Sequence, residues 1–243
     1  MKGQKFITVS LIIPAYNEAS KIENDIRQAE NFFLSAKYSS EIIASVDGCT
    51  DDTVKIIKKL QKEYSNLHLI DGGPKNGKGT AIKKGVEIAK GKYVMFADAG
   101  YCVPFEYIKD GISKIKLGYD CSIASRAIKK SRILKKQPFY RQAGSYIFGL
   151  IVRRFIGIPR HIKDTQCGFK IYKNSVAKIL YSELQTNTFM FDIEIILRAK
   201  KHRFKQITFP VRWKNDTDTK FNPISGSIKN LKDLYLIKTK YKL

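Results

Sequence analysis

Tyr16 and Glu18 directly follow an apolar run, Thr8 to Ile13, which predicts a strand buried on both faces. Pro14 is expected to end that strand because it has no N–H to donate to a ladder. In open α/β sheets, ligands bind at the carboxyl ends of the strands. An aromatic ring and a carboxylate at such an end predict contacts to a base and a ribose. An ordinary strand–turn–helix joint would have the same pattern.

Two further carboxylates stand at the ends of later apolar runs. Asp47 follows the predicted strand Glu41 to Val46, where it could accept hydrogen bonds from a base. Asp98 follows Lys92 to Ala97, and a carboxylate there is a candidate ligand for a divalent cation that bridges phosphates. The structural alternative for Asp98 is a buried ion pair with a lysine.

Lysines and glycines are interleaved in Lys75-Asn-Gly-Lys-Gly-Thr80, just before a predicted helix from Gly79 to Ala89. Backbone N–H groups, the helix dipole and the Lys78 charge together predict an anion site at this helix start. The spacing differs from that of a Walker P-loop. A glycine-rich helix start without a ligand is the alternative.

The elements that must position these residues alternate between strand and helix patterns through the first half of the chain. This alternation predicts an α/β fold with a mostly parallel sheet covered on both faces. The remaining predicted elements are helices over Asp52 to Tyr64 and Pro104 to Leu117, short strands at Leu67 to Ile70 and Cys121 to Ala124, and a first helix with Ile22, Ile26, Ala29 and Phe33 on one face.

Basic residues greatly outnumber acidic ones among the 243 residues, which carry a formal net charge of +23. Such a balance predicts an anionic partner: nucleic acid, an anionic membrane surface or a phosphorylated substrate. No nucleic-acid-binding signature accompanies the charge, so no specific nucleic acid is expected. The four cysteines form no CxxC pair, and no apolar run reaches the roughly 18 residues of a membrane span. We expect a cytoplasmic protein, or one on the cytosolic face of a membrane.

The second half contains basic amphipathic patterns. The stretch from Arg126 through Lys163 contains eleven Lys or Arg residues and no acid. Apolar residues at helical spacing within and after that stretch predict amphipathic helices at an anionic lipid surface, or, alternatively, stripes that pack on the sheet. These residues are Phe139, Ala143, Tyr146, Ile147, Leu150 and Ile151, and near the C-terminus Ile228, Leu231, Leu234, Tyr235 and Ile237.

Taken together, the front motifs resemble the inverting glycosyltransferases of the GT-A fold, family 2. They are Ile13-Pro-Ala-Tyr-Asn-Glu18, Val46-Asp-Gly-Cys-Thr-Asp51, Asn76-Gly-Lys-Gly-Thr-Ala81 and Phe96-Ala-Asp-Ala-Gly100. Later segments are similar to the dolichyl-phosphate glucosyltransferases and other polyprenyl-phosphate glycosyltransferases. These are Ser125-Arg126, Asp164-Thr-Gln-Cys-Gly-Phe-Lys170, Phe191-Asp-Ile-Glu194 and the region of Trp213.

The resemblance implies one GT-A (Rossmann-like) domain over residues 1–243. Residues 1–125 would bind a nucleotide sugar, and residues 126–243 would face the acceptor and the membrane. It implies transfer of glucose from UDP-glucose to a polyprenyl or dolichyl phosphate with inversion. The implied nucleotide-sugar contacts are Pro14, Ala15, Tyr16, Glu18, Asp47, Lys78 and Asp98. The implied catalytic groups are Asp98, Arg126, Arg141 and Lys170, with Asp164, Gln166, Asp192 and Glu194 on the acceptor or sugar side.

One departure from the family pattern concerns the metal. The family usually has Asp-x-Asp where this chain has Asp98-Ala99-Gly100. Asp98 with the diphosphate could hold Mg²⁺ or Mn²⁺, since Mg²⁺ often takes only one or two carboxylates. Basic side chains could instead replace part of the cation, or activity could be lost.

Several partners and rival functions follow from the same residues. The implied partners are a lipid-linked phosphate acceptor, an anionic membrane surface and a membrane-anchoring subunit. The closest rivals are a GDP-mannose-dependent polyprenyl-phosphate mannose synthase and a transferase for cell-surface polysaccharide. From other classes, a basic nucleic-acid-binding protein and a catalytically inactive binding protein remain open.

Overall fold

The apolar and amphipathic runs fold into alternating strands and helices in a computed structural model that describes residues 6–135, 139, 144, 148–150, 152–154, 156–216, 218, 230 and 232–239. The first half comprises β1 (Val9–Ala15), α1 (Ile22–Ser35), β2 (Ser40–Val46), α2 (Thr53–Leu60), β3 (Leu67–Asp71), α3 (Lys78–Ile88), β4 (Tyr93–Ala97), α4 (Tyr107–Lys116) and β5 (Cys121–Ser125). Then follow β6 (Arg132–Lys135), β7 (Phe169–Lys173), α5 (Asn174–Ser182), α6 (Phe191–Lys201), β8 (Gln206–Pro210) and β9 (Arg212–Lys214).

Seven of these strands form one sheet in the order β3-β2-β1-β4-β7-β5-β8. β7 is antiparallel to both of its neighbours, and all the other strand pairs of this sheet are parallel. The start of β7 therefore lies at the same edge as the carboxyl ends of β4 and β5. β6 and β9 form a separate parallel pair. The predicted α/β architecture with a mostly parallel sheet is confirmed.

Both faces of the sheet are covered, and successive side chains of a strand alternate between them. Leu11 and Ile13 of β1 pack in one apolar cluster with α1, α2 and α4, whereas Ile12 packs in a second cluster with α3, α5 and α6. The α1 residues predicted to share a face, Ile22, Ile26, Ala29 and Phe33, are all buried. Burial on both sides explains why the strands are continuous apolar runs.

Pro14 does not end β1, contrary to the sequence-based expectation. The strand continues to Ala15, and Pro14 pairs in register with Ser45 of β2. On the other side, β4 pairs with β1 only up to Ile12. The position of Pro14 therefore has no ladder on that side, and the missing N–H costs no hydrogen bond there.

A third apolar cluster belongs to the second half of the chain. Val152, Ile156 and Ile162 pack there against α6, together with Leu234 and Ile237 from the helical residues 232–239. The C-terminal stripe is thus partly core, while Tyr235 stays 69% exposed. Of the predicted stripe from Phe139 to Ile151, the structure describes Phe139 and Leu150, and both are exposed. Ala143, Tyr146, Ile147, Ile151, Ile228 and Leu231 lie outside the described residues. Within the described part of the chain, no helix combines the length and the apolar character needed to span a membrane.

Candidate active site

A cavity of about 290 Å³ opens where β1, β2 and β4 end. Its walls include all seven residues that the sequence predicted for nucleotide-sugar binding: Pro14, Ala15, Tyr16, Glu18, Asp47, Lys78 and Asp98. Thr188, Phe189, Asp216, Asp218 and Asn230 close it from the second half of the chain. The sheet thus brings the separate front motifs to one concave surface. We call this the nucleotide cavity.

The Asp47 carboxylate organises the wall of the nucleotide cavity next to α3. Its two oxygens accept the backbone N–H groups of Asn76 at 2.7 Å and Gly77 at 2.8 Å. Asp47 is 6% exposed and lines the cavity, and these two hydrogen bonds hold the loop before α3 in place.

Three backbone N–H groups of the anion site predicted at the start of α3 already have partners within the protein. The N–H groups of Asn76 and Gly77 are bound to Asp47, and that of Gly79 donates to the carbonyl of Asn187 at 2.9 Å. The glycines serve close packing instead, since a Cβ on Gly77, at φ +110°, would lie 2.2 Å from the Asn187 carbonyl oxygen. The Lys78 ammonium is what this helix start presents to the cavity.

Lys78 and Asp98 form an ion pair between the start of α3 and the end of β4, with Nζ 2.5 Å from Oδ1. Burial opposes the charge on Lys78, but the carboxylates of Asp98 and Asp192 outweigh it and raise the pKa of the lysine. Lys78 therefore stays protonated at neutral pH. About a third of the Asp98 side chain is exposed, so the carboxylate remains open to a ligand.

A second cavity of about 190 Å³ adjoins the first and shares Asp98, Ala99 and Asp216 with it. Its other walls include Arg126, Gln166 and Trp213. The amide nitrogen of Gln166 is buried without a hydrogen-bond partner among the described residues. A cation, an amide donor and an indole therefore meet next to Asp98 in this second cavity.

Arg126 is held in place by Asp164. The guanidinium Nε and Nη2 donate to the two carboxylate oxygens at 2.8 Å each, and the Arg126 backbone N–H donates to the same group. Burial opposes ionisation of Asp164, but Arg126 holds the pKa of that carboxyl below its usual range. The guanidinium also lies 5.2 Å from the Trp213 ring centre. Asp164 thus orients the arginine and does not itself line either cavity.

Three of the residues predicted to contact substrate are buried away from both cavities. Lys170 is 0% exposed and donates to Asp192 at 2.5 Å. Glu194 accepts the Thr186 N–H at 2.8 Å and so supports the loop that carries Thr188 and Phe189. Lys170 is buried because side chains alternate between the two faces of the sheet along β7. Phe169 and Ile171 pack in the cluster with α1 and α4, so Lys170 points to the opposite face. Arg141 lies outside the described residues.

Lys75 belongs to the segment predicted as an anion site, but its ammonium lies over the Tyr16 ring, 3.5 Å from the ring centre. Sequence reasoning did not single out Lys21 or Asp216, which also shape the site. Lys21 pairs with Glu18 at 2.6 Å and with Asp216 at 2.8 Å. The signal for Asp216 was present in Asn215-Asp-Thr-Asp218, two acids at the end of a basic half, but nothing in the sequence placed it beside Asp98.

The residues around Asp98 fit a divalent cation that also takes ligands from a substrate diphosphate. No group of three or more His, Cys, Asp or Glu side chains in the described ranges is arranged as a metal cluster. Asp98 and Asp216, however, face the same two cavities, and oxygen ligands suit Mg²⁺ and Mn²⁺. Two carboxylates with a substrate diphosphate make a sufficient ligand set for Mg²⁺.

Comparison with known proteins decides the family. The profile described as "Glycosyl transferase family 2" matches residues 10–180. The chain belongs to this family. The family expectation drawn from the motifs is confirmed, and the chain is a glycosyltransferase.

Two curated family 2 enzymes match nearly the whole chain. Dolichyl-phosphate beta-glucosyltransferase of Saccharomyces cerevisiae is 34% identical over 256 residues, covering 98% of this chain and 76% of that protein. The enzyme of the same name from Dictyostelium discoideum is 32% identical over 250 residues, with the same coverage of both chains. The alignments thus extend beyond the family profile into the half that carries Trp213 and Asp216.

Solved structures confirm the fold expected for family 2. Glucosyl-3-phosphoglycerate synthase from Mycobacterium tuberculosis, crystallised with Mn²⁺, UDP and glucosyl-3-phosphoglycerate, superimposes with a TM-score of 0.69 at 14% identity. The match covers 97% of this chain and 80% of that one. The same enzyme has also been crystallised with Mg²⁺ and UDP.

Proposed function

We propose that this family 2 enzyme transfers glucose from UDP-glucose to a polyprenyl phosphate such as dolichyl phosphate, with inversion at the anomeric carbon. The supporting observation is the pair of adjoining cavities that share Asp98 and Ala99. One holds the residues suited to a nucleoside diphosphate, and the other holds a cation and an amide donor. The identity to dolichyl-phosphate beta-glucosyltransferases along almost the full chain supports the choice of donor and acceptor.

The chain's own residues divide the work between the two cavities. Tyr16 and Asp47 bind the uridine, and Lys78 places positive charge near the diphosphate. A divalent cation on Asp98, when bound, would stabilise the charge that grows on the departing UDP. Lys78, which is paired with Asp98, contributes positive charge to the same stabilisation.

On the acceptor side, the nucleophile is a phosphate oxygen that is already ionised at neutral pH, so no general base is required. The acceptor phosphate must instead be held close to the anomeric carbon and in line with it. Arg126 supplies the cation for this task, and its bidentate pairing with Asp164 fixes the orientation of the guanidinium. Gln166, whose buried amide nitrogen has no hydrogen-bond partner in the described part of the chain, supplies a further donor.

An acceptor with a polyprenyl chain requires the enzyme to work at a bilayer. All four residues of β6 are exposed, and Ile133 and Leu134 stand between the cations Arg132 and Lys135. Apolar side chains flanked by cations favour an anionic lipid surface, at about 1 kcal/mol per well-placed Lys or Arg. Sedimentation with vesicles of mixed neutral and anionic lipid tests this contact, and Leu134→Glu should reduce the bound fraction.

The decisive test incubates the protein with Mn²⁺, a short polyprenyl phosphate and either UDP-glucose or GDP-mannose, followed by mass spectrometry of the lipid phase. Glucosyl polyprenyl phosphate from UDP-glucose is the expected product. Asp98→Asn should abolish it, whereas Asp52→Asn, at a mostly exposed carboxylate of the α2 start, should not. Mannose transfer alone, or sugar found only on water-soluble glycans, would overturn the proposal.

A further inference from the structure

We propose that Asp216 is the second carboxylate ligand of a divalent cation bound at Asp98, in the place that a side chain on residue 100 would otherwise take. This inference rests on the proposed use of a nucleotide diphosphate. Asp216 follows β9, more than a hundred residues from Asp98 along the chain, yet both residues line both cavities.

The Asp216 carboxylate lies next to Gly100. A Cβ built on Gly100 would lie 3.2 Å from Oδ2 of Asp216 and 3.3 Å from its Cγ. The Asp216 carboxylate thus fills the space into which a side chain at position 100 would project. Gly100 has φ +97°, a backbone conformation that L-residues rarely adopt, so this turn is built for glycine. The carboxylate at this spot comes from a different loop.

The nucleotide cavity is lined by more acidic than basic side chains. Its described lining has five acidic side chains, Glu18, Asp47, Asp98, Asp216 and Asp218, and two lysines, Lys75 and Lys78. This excess of negative charge occurs in a chain of net charge +23. A diphosphate would be repelled by such a lining unless a cation entered with it. Magnesium and manganese ions carry the required charge and favour oxygen ligands.

Lys21 does not remove the need for that cation. Its Nζ lies 2.6 Å from Glu18 and 2.8 Å from Asp216, and Asp218 is 3.7 Å away, so one ammonium serves three carboxylates. A fourth carboxyl, that of Asp25, is buried beside Gly100. Asp25 is 1% exposed, its Oδ2 accepts the Gly100 N–H at 2.7 Å, and its Oδ1 has no hydrogen-bond partner among the described residues.

The test measures Mn²⁺ binding by electron paramagnetic resonance, in which the signal of free aqueous Mn²⁺ is lost on binding, with UDP present and no turnover. We expect Asp216→Asn and Asp98→Asn each to weaken Mn²⁺ binding at least tenfold. Asp52→Asn makes the same charge change at a mostly exposed carboxylate that lines neither cavity, and it should stay within twofold of the unmodified protein. Circular dichroism melting of each variant checks that it is folded.

The outcomes separate the inference from the proposed function. Mn²⁺ binding that is unchanged in Asp216→Asn, or weakened equally in Asp52→Asn, would overturn the role of Asp216. UDP binding is measured in parallel by calorimetry, with Mn²⁺ and with a chelator. If the unmodified protein binds UDP equally well in both, the cation itself is refuted while the nucleotide site stands. If it binds no UDP under either condition, the proposed function fails as well.

Discussion

Gly168 lies directly against the carboxylate of Asp98: a Cβ on Gly168 would be 2.0 Å from Cγ of Asp98. The Asp98 backbone N–H donates to the carbonyl of Gly168 at 2.9 Å, so the two residues also share a hydrogen bond. The contact joins the end of β4 to the turn that begins β7. The glycine of Asp164-Thr-Gln-Cys-Gly-Phe-Lys170 therefore has a steric task, which is to leave room for the carboxylate shared by the two cavities.

Gly168→Ala should accordingly displace Asp98. We expect the glucosyl transfer rate to fall at least tenfold, with a loss of about 1–3 kcal/mol in the free energy of unfolding from overpacking. Product formation and urea unfolding measure the two effects. Gly149→Ala is the matched control for stability, since its nearest neighbour would be the flexible Arg153 guanidinium at 3.4 Å. Full activity in Gly168→Ala would show that Asp98 need not occupy its present position.

The front half of the fold could be predicted because its signals are local. The strands buried on both faces are continuous apolar runs, and each is followed by a polar turn. Because parallel strands end at one edge of a sheet, the sequence predicts that Tyr16, Asp47, Lys78 and Asp98 lie close together. In the structure all four line one cavity. The detailed use of Asp47 as an acceptor for two backbone N–H groups could not be read from the sequence, since it depends on how the loop before α3 returns to the sheet.

The second half was less predictable because its contacts are distant in sequence. β7 is only five residues long and inserts antiparallel between β4 and β5. That insertion determines which side chains of the Asp164 to Lys170 motif reach the site, and it turns Lys170 into the interior. Asp216 reaches the cavities through the end of β9, and no periodicity or motif predicts such an approach.

The buried carboxyl of Asp25 predicts an unusual pH dependence of stability. Burial raises its pKa from an ordinary value of 3.8 to about 6, and the N–H bond from Gly100 only partly offsets this. The folded state then holds the proton more tightly than the unfolded state, so this group's contribution to stability falls as pH rises from about 4 to about 6. At about 1.36 kcal/mol per pKa unit, the loss is on the order of 2–3 kcal/mol.

Asp25→Asn removes that charge and keeps an oxygen that can accept the Gly100 N–H. Urea unfolding at pH 4 and at pH 7.5 should show the variant gaining stability relative to the unmodified protein at the higher pH. The difference between the two proteins isolates Asp25 from other titrating groups. A stability difference that does not change with pH would mean that the Asp25 carboxyl titrates as an ordinary exposed one.

The pair of Arg126 and Asp164 allows stability to be separated from activity. Arg126→Ala leaves the Asp164 carboxylate buried without its cation, at a cost of about 3–5 kcal/mol. The double variant with Asp164→Ala should recover most of that stability, because no unpaired charge remains. It should not recover transfer, since the acceptor phosphate still lacks its cation. If the double variant recovered both stability and transfer, Arg126 would have a purely structural role. Arg126→Lys cannot form the bidentate pair with Asp164, so its activity should remain well below that of the unmodified protein.

The Tyr16 ring predicts how the base is held. Stacking on an aromatic face contributes about 1–3 kcal/mol per base, so Tyr16→Ala should weaken UDP binding roughly tenfold or more, and Tyr16→Phe should preserve it. The Lys75 ammonium lies over one face of the ring at 3.5 Å, so a base that stacks on that face displaces it. Lys75→Met keeps much of the side-chain length without the charge, so a changed UDP affinity in that variant reports the electrostatic part of the exchange. Calorimetric titration with UDP and with uridine separates the contribution of the base from that of the diphosphate. Equal uridine affinity in Tyr16→Ala and in the unmodified protein would place the base elsewhere in the cavity.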